Sequence, residues 1–415
     1  MSFFEKKSFW LVGLILFSPA GPVAAQNVLT IEQAVQEALE ANPALKGAGQ
    51  NVEAAKAQVG AARSLNDPMV GVEFEEVPIT TNDITRGTMT NYAITQELPF
   101  PSKLITRGKS AKKSYLAQKN SYEAEKIGLI VETKHAYHHL YFFERSLQIN
   151  RELQGLFQRL AASEQAQYQV ADNTSQNFLK ARVEVEKLKN EEAWLEAKRI
   201  EALAMLNILR NRNPKEEILL GELSKGHPLP AYDALEKKFF EKNPELKAAQ
   251  LQTEAFRADA SLAKQEAWIP DLEARFAYNQ RYGQQDAWTA GAMINIPFLW
   301  GKKRKEAKQA KALAQASRHA LTNIQNERLA MLEEAYAQFE SSSRSKAIFE
   351  DKILPQARLA LKSSEAAYQT GKGDFLSLID AARGLKEAKL GALEAQIAYH
   401  QAVTDLKGAV GEEVL

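Results

Sequence analysis

The feature that most constrains this 415-residue chain is a pair of helix-forming stretches too long for a globular domain. Residues 102–170 contain no proline, and their only glycines are Gly108, Gly128 and Gly155. Residues 301–370 contain Pro355 and are otherwise rich in Ala, Lys, Glu, Gln and Leu, which favour helix. At ~1.5 Å of rise per residue each stretch would run roughly 100 Å, far beyond the thickness of a bilayer. Further helix-forming segments follow at 175–210 and 374–409, so two antiparallel pairs are expected, turning at 171–174 and 371–373. On 175–210, Ala181, Val185, Leu188, Leu195, Ala202, Leu206 and Leu209 form a heptad grid broken by Glu192 and Arg199. Ile149, Leu153, Leu156 and Leu160 keep the same step on the first long helix, the spacing of a left-handed coiled-coil seam.

The chain is also a tandem repeat. Asn42-Pro43-Ala44-Leu45-Lys46 returns as Asn243-Pro244-Glu245-Leu246-Lys247, and Leu98-Pro99-Phe100 returns as Ile296-Pro297-Phe298. Tyr168-Gln169 returns as Tyr368-Gln369, and Ala181-Arg182 as Ala382-Arg383. The expected division is a first repeat over 26–210, a linker over 211–232 and a second repeat over 233–415. Each repeat opens with a short helix, 31–41 or 235–241, which Asn-Pro interrupts before a second helix over about 44–65 or 245–267. Residues 1–25 carry Lys6 and Lys7, then the apolar run 9–17, a Pro/Gly breaker zone and Val23-Ala24-Ala25. That is the layout of a secretory signal cut after Ala25, and an apolar run so short cannot span a bilayer.

Two short strands precede each long helix, about 69–77 and 90–98 in the first repeat, 271–279 and 288–296 in the second. They alternate, with Val70, Val72, Phe74, Phe276 and Ile294 on one side and polar or small residues on the other. Their length suits a tilted transmembrane strand of ~9–11 residues, and aromatics such as Tyr92, Tyr278, Trp288, Phe298 and Trp300 sit near their ends. A small soluble sheet with one face on a core would show the same alternation. Four strands cannot close a pore, and an open sheet edge is not tolerated in lipid, so a membrane reading requires several chains to pool strands.

Composition narrows the classes. The chain has no cysteine, which excludes disulfides, thiolate metal sites, a cysteine nucleophile and a cysteine-borne lipid anchor. Lys+Arg number 53 against 52 Asp+Glu, without the basic excess of a general nucleic-acid binder. A mean hydropathy of −0.37 argues against a multi-span helical membrane protein. There is no nucleophile elbow, HExxH, P-loop or dinucleotide fingerprint, so neither an enzyme nor a cofactor is expected. His135, His138 and His139, with Glu132 one turn earlier, have a spacing that can ligate a transition metal. A polar helix face packed on a neighbour has the same spacing, and no resident metal is expected.

Taken in order, Leu29-Thr30-Ile31-Glu32-Gln33-Ala34 leading to Asn42-Pro43, Gln96-Glu97-Leu98-Pro99-Phe100-Pro101, Tyr368-Gln369-Thr370-Gly371 running into Leu378-Ile379-Asp380-Ala381, and the duplication itself resemble the TolC-type outer-membrane efflux proteins. The resemblance covers residues 29–410. It implies a mainly α fold with a small membrane β-barrel part: four strands per chain, and a homotrimer forming a 12-stranded barrel above an α-helical periplasmic tunnel. It implies an outer-membrane exit duct working with a periplasmic adaptor and an inner-membrane pump, in contact with outer-membrane lipid and not with nucleic acid. Leu98-Pro99-Phe100-Pro101-Ser102-Lys103 looks most like the branch that exports heavy-metal cations. On this reading Glu73, Glu75, Glu97, Glu273 and Arg275 face a wet lumen. The helix-pair turns would form the periplasmic gate, involving Tyr168 and Asn177 in the first turn and Tyr368, Gly371, Ser377 and Asp380 in the second. Where the family usually has two acidic residues three apart in the second turn, this chain has Ser377 and Asp380; Ala171 and Asn177 replace the usual Gly and Asp of the first. A single Asp380 ring would remain. The alternatives are a periplasmic coiled-coil adaptor or scaffold, and a periplasmic metal-binding protein built on the three histidines.

Overall fold

The computed structural model describes residues 28–80, 83–170, 176–224, 230–297 and 301–411, without the side chains of 166–170. The expected signal segment, Ala171 and the rest of the 171–174 turn, Phe298, Trp300 and the Tyr168 side chain therefore lie outside the described residues. In chain order the helices and strands are α1 (Ile31–Ala41), α2 (Pro43–Ala61), β1 (Met69–Glu75), β2 (Met89–Leu98), α3 (Pro101–Val170) and α4 (Gln176–Leu209). The second half repeats them as α5 (Tyr232–Lys242), α6 (Pro244–Trp268), β3 (Leu272–Arg281), β4 (Ala287–Ile294), α7 (Lys302–Ile348), α8 (Leu354–Gln369) and α9 (Phe375–Val410).

The Asn-Pro breaks do more than stop a helix. Asn42 Oδ1 accepts from the Ala44 and Leu45 amides, capping α2, whose first residue Pro43 has no amide to satisfy. Its Nδ2 donates to the Leu209 carbonyl at the end of α4, 3.1 Å away. Asn243 repeats the arrangement, accepting from Glu245 and Leu246 and donating to Ala409 near the end of α9 at 2.9 Å. One buried side chain thus satisfies orphan amides at the start of one helix and an orphan carbonyl at the end of another. The chain leaves both α4 and α9 through a left-handed residue, Asn211 (φ 54°) and Gly411 (φ 82°).

Around these junctions lies the principal core. Ala34, Ala38 and Leu45 pack with Tyr137 and Leu140 of α3 and with Leu203, Leu206 and Leu209 of α4. The parallel bridge between Leu29 and Leu220 ties the linker to the N-terminal segment, and Tyr137 donates to the carbonyls of Leu29 and Gly221 across it. A second core, toward the helix tips, joins Leu153, Phe157 and Ala161 to Ala181, Val185 and Leu188 and to Phe375, Leu378, Ile379 and Ala382.

All seven residues of the α4 grid are buried. Its two breaks carry polar contacts: Glu192 accepts from Gln154 and Arg151, and Arg199 bonds Glu217 and Glu196. The seam expected on α3 is displaced. Leu153 is buried, but Ile149, Leu156 and Leu160 sit at its margins, and the buried ladder is Leu147, Asn150, Gln154, Phe157, Ala161 and Glu164. The cause is that α3 packs against α4 and α9 together, so its buried face turns toward the line between two neighbours rather than toward one.

The long helix expected over 301–370 is not continuous. A π-helical turn, Phe349–Ile353, separates α7 from α8, and the Leu354 amide bonds the Phe349 carbonyl five residues back. Pro355 follows at once. Its ring would press on the carbonyl four residues before it, and it offers no amide; a locally widened turn absorbs both problems. Gly391 of α9 lets this bulge pack closely, because a Cβ there would fall 2.5 Å from the Phe349 ring.

Candidate functional site

The four strands form one antiparallel sheet in the order β1-β2-β3-β4. Register sorts the side chains into two faces. Val70, Ile94, Phe276 and Ala290 align across the sheet, as do Val72, Tyr92, Tyr278 and Trp288, giving one apolar face. Glu73, Asn91 and Asn279 align on the other, which also carries Glu75, Glu97, Glu273, Arg275 and Arg281. All five residues expected in the lumen therefore share a face. Arg275 donates to Glu73 at 2.6 Å, Asn66 to Glu97 at 2.8 Å, Asn91 to Glu75, and Asn279 to Thr289 at 2.7 Å.

The sheet is inverted relative to a soluble one. Asn91, Ala93, Ala277 and Asn279 on the polar face are buried, while Val70 is 78% exposed and Phe276 50% exposed on the apolar face. No described core packs behind that apolar face, so the soluble-sheet alternative lacks its defining feature. β1 and β4 are both sheet edges, with no described strand beyond them. Polar side in, apolar side out and two open edges are what a segment of a lipid-embedded barrel requires.

At the opposite end of the molecule, the second helix turn is built from local signals. Gly371 takes φ 70°, and Asp374 caps α9 by accepting from the Ser377 amide at 3.2 Å. Tyr368 donates to the buried Glu164 carboxylate of α3, tying the two hairpins together. Burial, with Glu164 beside it, raises the Tyr368 hydroxyl above its ordinary range, so it remains the donor. Asp380 is exposed and lies 3.4 Å from Arg383, which in turn binds Glu184 of α4 at 2.6 Å. The Arg383 guanidinium holds Glu184 below the usual carboxylate range. Asn177 lies in the first turn of α4 and is half-buried. Arg383 and Glu164 are not singled out by the sequence reading. Arg383 stands inside the repeated Ala-Arg landmark, whereas nothing in the sequence marks Glu164 as a cross-hairpin acceptor.

The histidines do not converge. His135 bonds Asp405 of α9 at 2.6 Å. His138 is 2% exposed, lies 5.7 Å from the His400 ring and has a buried Nδ1 without a hydrogen-bond partner. Burial, reinforced by His400, pushes its pKa down to about 3, so it is neutral. His139 borders a groove of about 700 Å³ between α3 and α4, beside Phe143 and Trp194. Glu132 and His135 line the same groove, whereas His138 is buried toward His400 of α9, so the three histidines do not share one face. Among the described residues no three His, Asp or Glu side chains are grouped to hold a metal ion.

No curated protein matches the chain. Solved structures share its fold: the outer-membrane channel OprN at 19% identity, with 92% of this chain and 90% of that one covered and a TM-score of 0.79. CusC matches at 19% identity over 96% of each chain with a TM-score of 0.80, and the open-state Neisseria gonorrhoeae MtrE outer membrane channel at 20% identity over 92% and 88% with 0.77. The outer membrane efflux protein family model matches twice, over residues 34–211 and 237–412, once in each repeat. The chain thus belongs to the outer membrane efflux protein family and is an outer-membrane protein with a long helical body.

Proposed function

We propose that three copies of this chain pool their strands into one closed 12-stranded barrel, continued by a periplasmic helical tunnel. The assembly is a passive exit duct and catalyses no reaction. It works with a periplasmic adaptor and an inner-membrane pump, which set what is exported, and a cleaved signal over residues 1–25 directs the chain across the inner membrane. The inverted sheet with open β1 and β4 edges is the observation that carries this reading. Pooling strands removes both edges at once and puts the apolar face on lipid.

Cationic cargo is the second part of the proposal, heavy-metal cations being the class suggested by the segment 98–103. The polar sheet face supports it, with Glu73, Glu75, Glu97 and Glu273 against Arg275 and Arg281. Asp380 is the gate acid, with Arg383 as its counter-ion. Native mass measurement in detergent tests the assembly: a particle of three chains is expected, and a monomer would sink the duct. Recovery in the soluble periplasm without detergent would sink it equally.

A further inference from the structure

Directly below the sheet the two long helices begin with strongly basic segments. Residues 101–113 (PSKLITRGKSAKK) carry no acidic residue, and residues 301–311 (GKKRKEAKQAK) carry only Glu306, in a chain whose net charge is +1. Between them runs α6, which packs against both α3 and α7. Cations that point toward α6 and the connection from it to β3 are already matched: Lys103 with Asp271 at 2.7 Å, Arg107 with Glu266 at 3.6 Å and Lys113 with Glu254 at 2.6 Å. Lys109, Lys112, Arg304, Lys305, Lys308 and Lys311 are exposed and form no ion pair with a described carboxylate.

These unmatched cations lie on the same strips of surface as exposed apolar anchors. Ile105, 72% exposed, stands at i, with Lys109 at i+4 and Lys112 at i+7, so all three share one strip of α3. Arg304 lies 4.7 Å over the Trp268 ring, which is itself 54% exposed at the end of α6. Lys308 and Lys311 continue from Arg304 at the same i+4 and i+7 steps along α7. An exposed Trp and Ile above rows of Lys is how a protein surface meets a bilayer interface, the ring at headgroup level and the cations in water beyond it. The cations fall within the first ~15 Å of each helix, inside the headgroup layer plus about one Debye length.

We propose that Lys109, Lys112, Lys305, Lys308 and Lys311, beneath Ile105 and the Arg304–Trp268 pair, form a basic collar that binds anionic phospholipid headgroups of the periplasmic leaflet. The inference rests on the membrane placement of the sheet proposed above. The collar adds to the barrel an electrostatic hold on anionic lipid and fixes the depth at which helix replaces strand. The test replaces the five lysines by Gln and leaves Arg304 in its place over Trp268. Purified trimer in detergent is titrated with phosphatidylglycerol or with zwitterionic phosphatidylethanolamine, and bound lipid is counted by native mass spectrometry. The wild type should retain phosphatidylglycerol preferentially, and the variant should lose that preference by on the order of tenfold or more. Added salt should weaken retention by the wild type and have little effect on the variant. A trimer that inserts in membranes but retains both lipids equally, before and after substitution, overturns the collar and leaves the duct standing. A variant with altered ion selectivity in planar bilayers and unchanged lipid retention also overturns it, because the lysines would then line the lumen. A wild type recovered as a soluble monomer fails at the earlier step, removing the duct and the collar together.

Discussion

Replacing Asn243 by Ala should destabilise the second half of the molecule by about 2–4 kcal/mol. The side chain, 5% exposed, accepts from Glu245 and Leu246, each at 3.0 Å, and donates to Ala409 at 2.9 Å. Losing an N-cap costs about 1 kcal/mol, and a buried carbonyl left without its donor costs a further ~1–3 kcal/mol. Conservative variants separate the two contributions. Asn243→Ser keeps the cap and loses the link to α9. Asn243→Asp keeps the acceptor, improves the charge at the α6 N-terminus, and places a carboxylate against the Ala409 carbonyl. The expected order of stability is Asn, then Ser, then Ala, with Asp well below Asn. Thermal melting of the detergent-solubilised protein, followed by helix circular dichroism, reads the order. Hydrogen exchange at 245–247 and 407–411 localises the loss to both helix ends. If the Asn243→Asp variant melted like the wild type, the Ala409 bond would contribute nothing and the double-cap argument would be wrong. Asn42→Ala should behave alike in the first half, because its contacts are the same in kind.

Gly391→Ala should lower the melting temperature by forcing Phe349 and the π-helical turn away from α9, since the new Cβ would meet the ring at 2.5 Å; Phe349→Leu in the same chain should recover part of the loss. His138 has a folded pKa of about 3 against an ordinary value near 6.5, so between those limits the unfolded chain binds the extra proton and stability falls as pH falls. The loss from pH 7 to 5 should be about 2 kcal/mol, and His138→Gln should flatten that part of the stability profile; a profile unchanged by the substitution would remove His138 as its source. Asp380→Ala should change single-channel conductance or cation preference in planar bilayers, and no change would take Asp380 out of the gate.

What is legible in the sequence comes from local signals. The four strands announce themselves by alternation, and the sheet register then puts Glu73, Glu75, Glu97, Glu273 and Arg275 together, as alternation requires. Asp374 is a cap-forming residue type placed between the Gly371–Gly373 turn and an apolar helical run, and its Oδ1 accepts the Ser377 amide. What is illegible depends on having two neighbours. The α3 seam is displaced from its expected line because a heptad pattern assumes one partner, whereas α3 touches both α4 and α9. His138 leaves the face that Glu132, His135 and His139 share for the same reason, because it is buried against His400 of α9. Pro355 is visible as an irregularity, but only the fold shows it absorbed by a π-helical turn rather than by a kink.

A duplicated chain faces a problem of identity, because two similar helix pairs could pack in more than one arrangement. Four links between the hairpins, in the half of the helices nearer the tips, are sorted by charge. Glu184 meets Arg383, Glu191 meets Lys386 and Glu152 meets Lys389, while Glu164 accepts from Tyr368. In each case the carboxylate belongs to the first half and the donor to the second. Partly exposed pairs of this kind contribute only ~0–1 kcal/mol each, too little to hold hairpins that already share a hydrophobic core. Their effect lies in discrimination. A first hairpin placed against another first hairpin would set Glu152, Glu184 and Glu191 facing carboxylates of their own kind, and a second against a second would oppose Arg383, Lys386 and Lys389. In the trimer proposed above, the same sorting would favour alternation of first and second hairpins around the ring. Charge reversal at Arg383, Lys386 and Lys389 together should therefore impair assembly of the oligomer more than it lowers the melting temperature of the single chain.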